Sequence, residues 1–236
     1  DIYPTSYLQI GMLLESNLSN YGTYHYIFSY LIQEKFNKNK FLLIWKQLIN
    51  KHELLRASFI LNNDNGWSVI IYKSVNIDYQ IYTNKNTKEL ITKERLKDFD
   101  YNKPGLIKLI VNDLNHCFDL VFSFHHAIED GWSMAYLINE FIQGYVNDKP
   151  INHNLDLRYG EFVRNELSVI KEQDSITFWK EYLDDLNIIK ANWKFDTKKS
   201  QNSLYISSFI LSSEQAKLIH KVAKDSKISI DSIFLL

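Results

Sequence analysis

Two adjacent histidines, His125 and His126, follow the apolar run that ends at Phe124, and Asp130-Gly131 stands four residues beyond the second of them. An imidazole takes or gives a proton near neutral pH once something fixes its ring and tautomer. A strand that delivers it, with a helix starting just behind, keeps the backbone exposed and rigid at once, as proton transfer requires. Asp130 at that helix start reads as an N-cap, or as the partner of a cation that holds the loop in shape. Gly131 tolerates backbone angles that other residues resist and lets a ligand come close. The residues alone support equally a plain loop in which the histidines do no chemistry. Neighbouring histidines point in divergent directions and no third ligand stands at a suitable spacing, so no metal centre is expected.

The elements around this segment must position it. In the run His116 to Phe124, residues Phe118, Leu120, Phe122 and Phe124 alternate with Asp119, Val121 and Ser123, which predicts a strand with two distinct faces. After Gly131 the residues Met134, Leu137, Ile138, Phe141, Ile142 and Tyr145 fall on one helical stripe, stopped by Asn147 to Pro150. Upstream, a helix is expected from Thr5 to Ser16 with Leu8, Gly11 and Met12 facing inward, then a strand from Tyr24 to Ile32. Phe41, Ile44, Trp45, Leu48 and Ile49 predict an amphipathic helix ending near His52. Leu55 to Leu61 and Trp67 to Tyr72 flank the turn Asn62 to Gly66 and read as a hairpin. A strand from Ile77 to Tyr82, a charged helix from Lys88 to Phe99 and a strand from Leu106 to Val111 complete this part. Helices are expected over Leu157 to Ile170 and Ile176 to Leu183. A polar linker through Lys194 to Lys199, a strand from Leu204 to Leu211 and a helix capped by Ser212 or Ser213 follow.

Composition narrows the function classes. With 45% apolar residues the chain has enough material for a large core. A net charge of −1 lacks the concentrated basic surface that nucleic acid or an anionic membrane calls for, so neither is an expected partner. Cys117, the only cysteine, excludes an intrachain disulfide framework and reads as a small packing residue. No apolar run approaches the roughly 20 residues of a membrane span. Asp1 to Pro4 carries no signal-peptide pattern, and a soluble cytoplasmic protein is the expectation. The apolar run Ser232 to Leu236 looks like the start of a helix, and a fragment cut inside a second lobe is expected.

The segment His125 to Ser133 resembles the HHxxxDG motif of condensation domains from nonribosomal peptide synthetases. Tyr3 to Leu13 is similar to the glutamine-containing first helix of that family, and Lys51-His52-Glu53-Leu54-Leu55-Arg56-Ala57-Ser58-Phe59 to its RHExLRTxF motif. Tyr159 to Val163 with Phe178 to Leu183 echoes the segment that closes its first lobe. The resemblance implies an α/β (α+β sandwich) fold, a chloramphenicol acetyltransferase-like lobe with a mixed β-sheet covered by helices. Residues 1–183 would be the amino-terminal lobe; residues 184–236 would be the inter-lobe linker and the first strand and helix of a truncated second lobe.

The activity it implies is amide bond formation between a donor acyl or peptidyl thioester and the amine of an acceptor aminoacyl thioester. Both substrates would ride on the 4'-phosphopantetheine of donor and acceptor carrier proteins, next to an adenylation domain, with no cofactor bound by the domain itself. His126 would be the catalytic residue, as general base or as positioning group. His125, Asp130, Arg56 and Gly131 would support the site, with Asp130 paired to Arg56. Gly131, Trp132 and Ser133 would line the substrate tunnel, and the lone lobe is expected to be inactive. Gln9 and Tyr7 would sit near the tunnel, where ordinary packing explains them equally well. Alternatives are an epimerization domain of the same superfamily and a non-catalytic recruitment module; the presence of His126 together with Arg56, Asp130 and Gly131 favours an active parent.

Overall fold

The larger of two units, Asp1–Ile188, carries strands β1 (Ile2–Pro4), β2 (His25–Ile32), β3 (Ala57–Asn62), β4 (Gly66–Ile71), β5 (Asp78–Thr83), β6 (Ile107–Asp113) and β7 (Phe118–His125). They are seen in a computed structural model, which describes residues 1–18, 22–62, 66–76, 78–152, 158–184 and 209–234. Strands β1, β4 and β3 form a small antiparallel sheet in that order. The larger sheet runs β2-β7-β6-β5, mixed because β5 lies parallel to β6 while the other pairs are antiparallel.

The alternation read from β7 divides the core. Phe118, Leu120, Phe122 and Phe124 are all but fully buried and join the main cluster with α2 (Lys38–Lys51) and α4 (Gly131–Tyr145). Trp45 of α2 stacks on Phe141 of α4 at 5.4 Å and meets Phe122 edge-on at 5.5 Å, locking both helices to the sheet. Each such side chain contributes about 1.5–3 kcal/mol by leaving water. Asn37 caps α2 through Lys40 N, and the Tyr145 hydroxyl receives the Asn37 amide at 2.6 Å, tying the start of α2 to the end of α4. On the opposite face, Val121 and Ile110 pack under Leu90 of α3 (Thr87–Glu94).

Several sequence expectations need correction. The helix α1 (Tyr7–Leu18) buries Gln9 and Leu13, whereas Leu8 is 68% exposed and Gly11 faces outward. The stripe turns because Gln9 is hydrogen-bonded inside (below), a preference invisible to an apolar count. No local pattern predicts β1: it is three residues long and exists through its pairing with β4. Glu53–Arg56 is a 3-10 turn, so the strand expected from Leu55 begins at Ala57. α3 stops at Glu94, short of Phe99, where the buried Glu94 carboxylate accepts from Ser123 Oγ at 3.0 Å and pairs with Lys97 at 2.6 Å. Cys117 precedes β7 and is half-buried.

Two helices, α5 (Tyr159–Val169) and α6 (Gln173–Leu183), end the described part of the first unit. In the second unit, Ile189–Leu236, α7 (Ser213–Ser226) opens with a capping box between Ser212 and Gln215, and α8 (Ile230–Phe234) follows. The Lys194 to Lys199 linker, Asn63 to Asn65 of the hairpin turn and most of the strand expected from Leu204 lie outside the described residues; Phe209 to Leu211 carry no strand. Among the described residues, no helix is long and apolar enough to cross a membrane.

Candidate functional site

The last residue of β7 is His125, registered against His25 of β2, and the chain then turns through His126 to Glu129 into α4. His125 is 3% exposed. Its Nδ1 accepts from the Ala127 amide at 3.2 Å, so the ring proton sits on Nε2, which donates to Ser16 Oγ at 2.9 Å. Burial pushes its pKa down to about 4, and the neighbouring His25 and His126 add to the effect. A neutral, doubly hydrogen-bonded ring inside the protein is a support.

His126 is held differently. Its amide donates to the Tyr24 carbonyl at 2.8 Å, and its Nδ1 lies 2.5 Å from the Glu129 carbonyl. A carbonyl only accepts, so Nδ1 carries the proton and Nε2 keeps the lone pair. The ring edge rests on Tyr26 at 4.5 Å between centroids. No hydrogen bond engages Nε2 among the described residues, and the ring is only half-buried. The arrangement is that of an oriented base or hydrogen-bond acceptor awaiting a donor.

Asp130 is exposed and caps α4, accepting from the Ser133 amide at 2.7 Å. That hydrogen bond, with smaller help from the Ser133 side chain, the nearby His126 and the Trp132 amide, holds its carboxyl below the usual range. The expected pairing with Arg56 is absent: among the described residues no ion pair joins them. Arg56 Nε donates to the Ile49 carbonyl at 2.9 Å and Nη1 to that of Tyr72. The guanidinium thus staples the end of α2 to the residue that follows β4, while the Asp130 carboxylate is engaged by the helix terminus. Gly131 does not have a positive φ, contrary to the conformational need expected of it. A Cβ there meets no atom within 4 Å, so the space in front of it is open. Trp132 is 87% exposed, and the Ser133 amide takes the cap.

Two further residues belong to this neighbourhood and escaped emphasis in the sequence. Gln9, 3% exposed, donates from Nε2 to the Ala127 carbonyl at 2.9 Å and accepts the Ser6 amide at 3.1 Å, so α1 pins the histidine loop. Glu129 is 8% exposed and its Oε2 has no hydrogen-bond partner. Burial, with the Asp130 charge beside it, pushes its pKa up to about 8. The signal was available: an acid directly before the capping acid is an awkward pair at one helix start. Glu129 lines a cleft of about 770 Å³ with His52, Trp132, Tyr136, Tyr159 and Phe162 among its walls. His52 is held there by Glu140 at 2.6 Å. His25 donates to Ser123 within the sheet, and His153 lies outside the described residues.

Comparison with known proteins places these features. A family model described as the condensation domain matches residues 1–236. Bacitracin synthase 1 of Bacillus licheniformis is 28% identical over 100% of this chain, which covers 5% of that protein. Tyrocidine synthase 3 of Brevibacillus parabrevis is 23% identical over 99% of this chain, which covers 4% of it. Among solved structures, the condensation domain from Monacolin K polyketide synthase MokA superposes with a TM-score of 0.73 at 11% identity, over 100% of this chain and 58% of that one. The starter condensation domain of rhizomide synthetase RzmA gives 0.69 at 12%, over 80% and 49%. The chain therefore spans a small fraction of the curated relatives and about half of the solved neighbours, and the structural likeness establishes the fold.

Proposed function

The chain belongs to the condensation-domain family, and from that membership we propose that it carries the catalytic histidine of an amide-forming condensation reaction. The observation that carries the reading is the fixed tautomer of His126: Nδ1–H on the Glu129 carbonyl, lone pair on a half-buried Nε2.

In this reading the donor is an acyl or peptidyl thioester and the acceptor an aminoacyl thioester, each borne on the 4'-phosphopantetheine of a carrier protein. An N–H of the acceptor amine donates to His126 Nε2, which aligns the nitrogen lone pair with the thioester carbonyl. The C–N bond forms, the C–S bond breaks, and the amine proton passes through the imidazole to the departing thiolate. His125 keeps the loop rigid from inside, and Asp130 fixes the helix start. Arg56 anchors the segment preceding β3 through the Ile49 carbonyl. The open space at Gly131, with Trp132 and Ser133, is the proposed approach of the donor arm. Residues 1–183 would form the amino-terminal lobe and residues 184–236 the linker and start of the second. The domain would bind no cofactor of its own, would work beside an adenylation domain and would act in the cytoplasm.

The test uses the chain at its full two-lobed length with donor and acceptor carrier proteins loaded with aminoacyl groups. Intact-protein mass spectrometry follows transfer of the donor mass to the acceptor. Transfer that collapses in a folded His126→Ala variant supports the reading. Carrier binding without transfer, unaltered by the substitution, points instead to a recruitment module.

A further inference from the structure

We propose that the cleft beside α4 binds an organic ammonium group at the end of an apolar chain, with the Glu129 side chain as its counter-ion. The cleft, of about 770 Å³, lies within the roughly 300–1,000 Å³ of small-molecule sites. Its walls are largely apolar and aromatic, from Leu54, Ile128, Trp132, Tyr136, Tyr159 and Phe162. Into this surface the protein sets one carboxyl group that is over nine-tenths buried and leaves one oxygen without a partner. Buried polar atoms without partners are rare because each loses its hydration without replacement. That oxygen is out of reach of the cleft as it stands, and a ligand toward which the Glu129 carboxyl turns supplies the missing donor and removes that cost.

The sign of the ligand follows from the remaining charges. The basic side chains on the cleft wall have acidic partners: Arg158 meets Asp1 at 3.3 Å and the His52 ring meets Glu140 at 2.6 Å. The acids are Glu129, with Asp130 beside it, and Glu53, which accepts from the Tyr159 amide at 2.9 Å and the Tyr3 hydroxyl. Tyr136 and Tyr159 complete the titratable groups of the wall and present ring faces and edges rather than charge. An anion entering here meets the Glu129 and Glu53 carboxyls, with Arg158 turned to Asp1; an ammonium meets a carboxyl and several aromatic rings. His126 is not among the lining residues, whereas Trp132 and Ser133 are. The ligand class is an ω-ammonium alkyl chain. That it belongs to a carrier-borne aminoacyl substrate rests on the preceding reading; the binding itself does not.

Glu129 is a neutral acid near neutral pH, so an arriving ammonium drives its ionisation and the proton leaves to the buffer. The experiment is calorimetric titration of the 236-residue chain with n-hexylammonium and with 1-hexanol, in two buffers of different ionisation enthalpy. On the native chain the ammonium is expected to bind about tenfold tighter than the alcohol, with buffer-dependent heat reporting proton release. Glu129→Gln should erase the preference and the release while leaving hexanol binding within about twofold. Trp132→Ala, at an 87% exposed position, should weaken both probes. Equal affinity for the two probes, absence of binding, or a preference that survives Glu129→Gln overturns the proposal. If the glutamine variant does not fold, buffer-independent heat on the native chain overturns it alone. Probe binding alongside an absence of transfer in the restored enzyme sinks the amide-forming reading only; transfer without probe binding sinks this one only.

Discussion

His125 and His126 are neighbours in the chain and carry their ring protons on opposite nitrogens. His125 is protonated on Nε2, toward Ser16, and His126 on Nδ1, toward the Glu129 carbonyl. The difference assigns them different work. In His125 both nitrogens are taken up inside the protein, whereas the half-buried His126 has an Nε2 that no hydrogen bond engages among the described residues.

His126→Asn tests that assignment more sharply than alanine. Asparagine keeps an N–H near the Glu129 carbonyl and deletes the lone pair at Nε2. In the two-lobed enzyme the expected fall in transfer rate is about a hundredfold to ten-thousandfold, the usual size of a proton-transfer contribution. Near-native turnover in the asparagine variant would leave the ring with a shape role alone.

Arg56 and Asp130 should behave independently. Asp130→Ala removes an N-cap and is expected to cost about 0.5–2 kcal/mol in urea unfolding, with Asp130→Ser recovering most of it. Arg56→Leu strands the Ile49 and Tyr72 carbonyls and carries its own penalty. The double variant should equal the sum of the singles within about 0.5 kcal/mol. A larger coupling energy would mean the two groups meet after all.

Stability should fall toward both acid and alkali, for different residues. Glu129 has a folded pKa of about 8, above its ordinary 4.5, so the folded chain keeps a proton that the unfolded chain loses. That contribution is whole below the unfolded value and vanishes as pH rises through the folded one. His125, at about 4 against an ordinary 6.5, is depressed instead, so its contribution is lost as pH falls through that interval. Glu129→Gln should remove the alkaline limb and leave the acid limb, so that the variant outlasts the native chain at the alkaline end. Parallel native and variant curves in urea unfolding across that range would refute the assignment.

Gly131→Ala separates fold from function. The added methyl meets nothing within 4 Å and the backbone there has no positive φ, so the unfolding midpoint should be unchanged. Transfer should nonetheless drop about tenfold or more if the donor arm passes against that backbone. An unaffected rate would place the arm elsewhere.

What the sequence disclosed, and what it withheld, divides along range. The alternation in β7 and the stripe of α4 are local periodicities, and both elements stand where spacing put them. The fold follows from these repeats because burial rewards them directly. α1 is the instructive failure: Gln9 turns inward because its amide meets the Ala127 carbonyl, 118 positions away. β1 likewise depends on a partner more than sixty residues distant. The Arg56–Asp130 pairing fails for the same reason, since nearer carbonyls and a helix terminus compete for those charges. The histidines were legible as a motif; their opposite protonation was not, because it is decided by Ser16, Ala127 and Glu129 in space.

Glu129 serves two masters through two separable parts. Its carbonyl orients His126, and any residue at that position brings a carbonyl. Its side chain belongs to a residue that lines the cleft, where the proposed ammonium preference would change on substitution. Inheritance can therefore rewrite the preference of the pocket one codon at a time without disturbing the imidazole beside it. A designer wishing to retune this protein should begin at that residue, where novelty and competence are not in conflict.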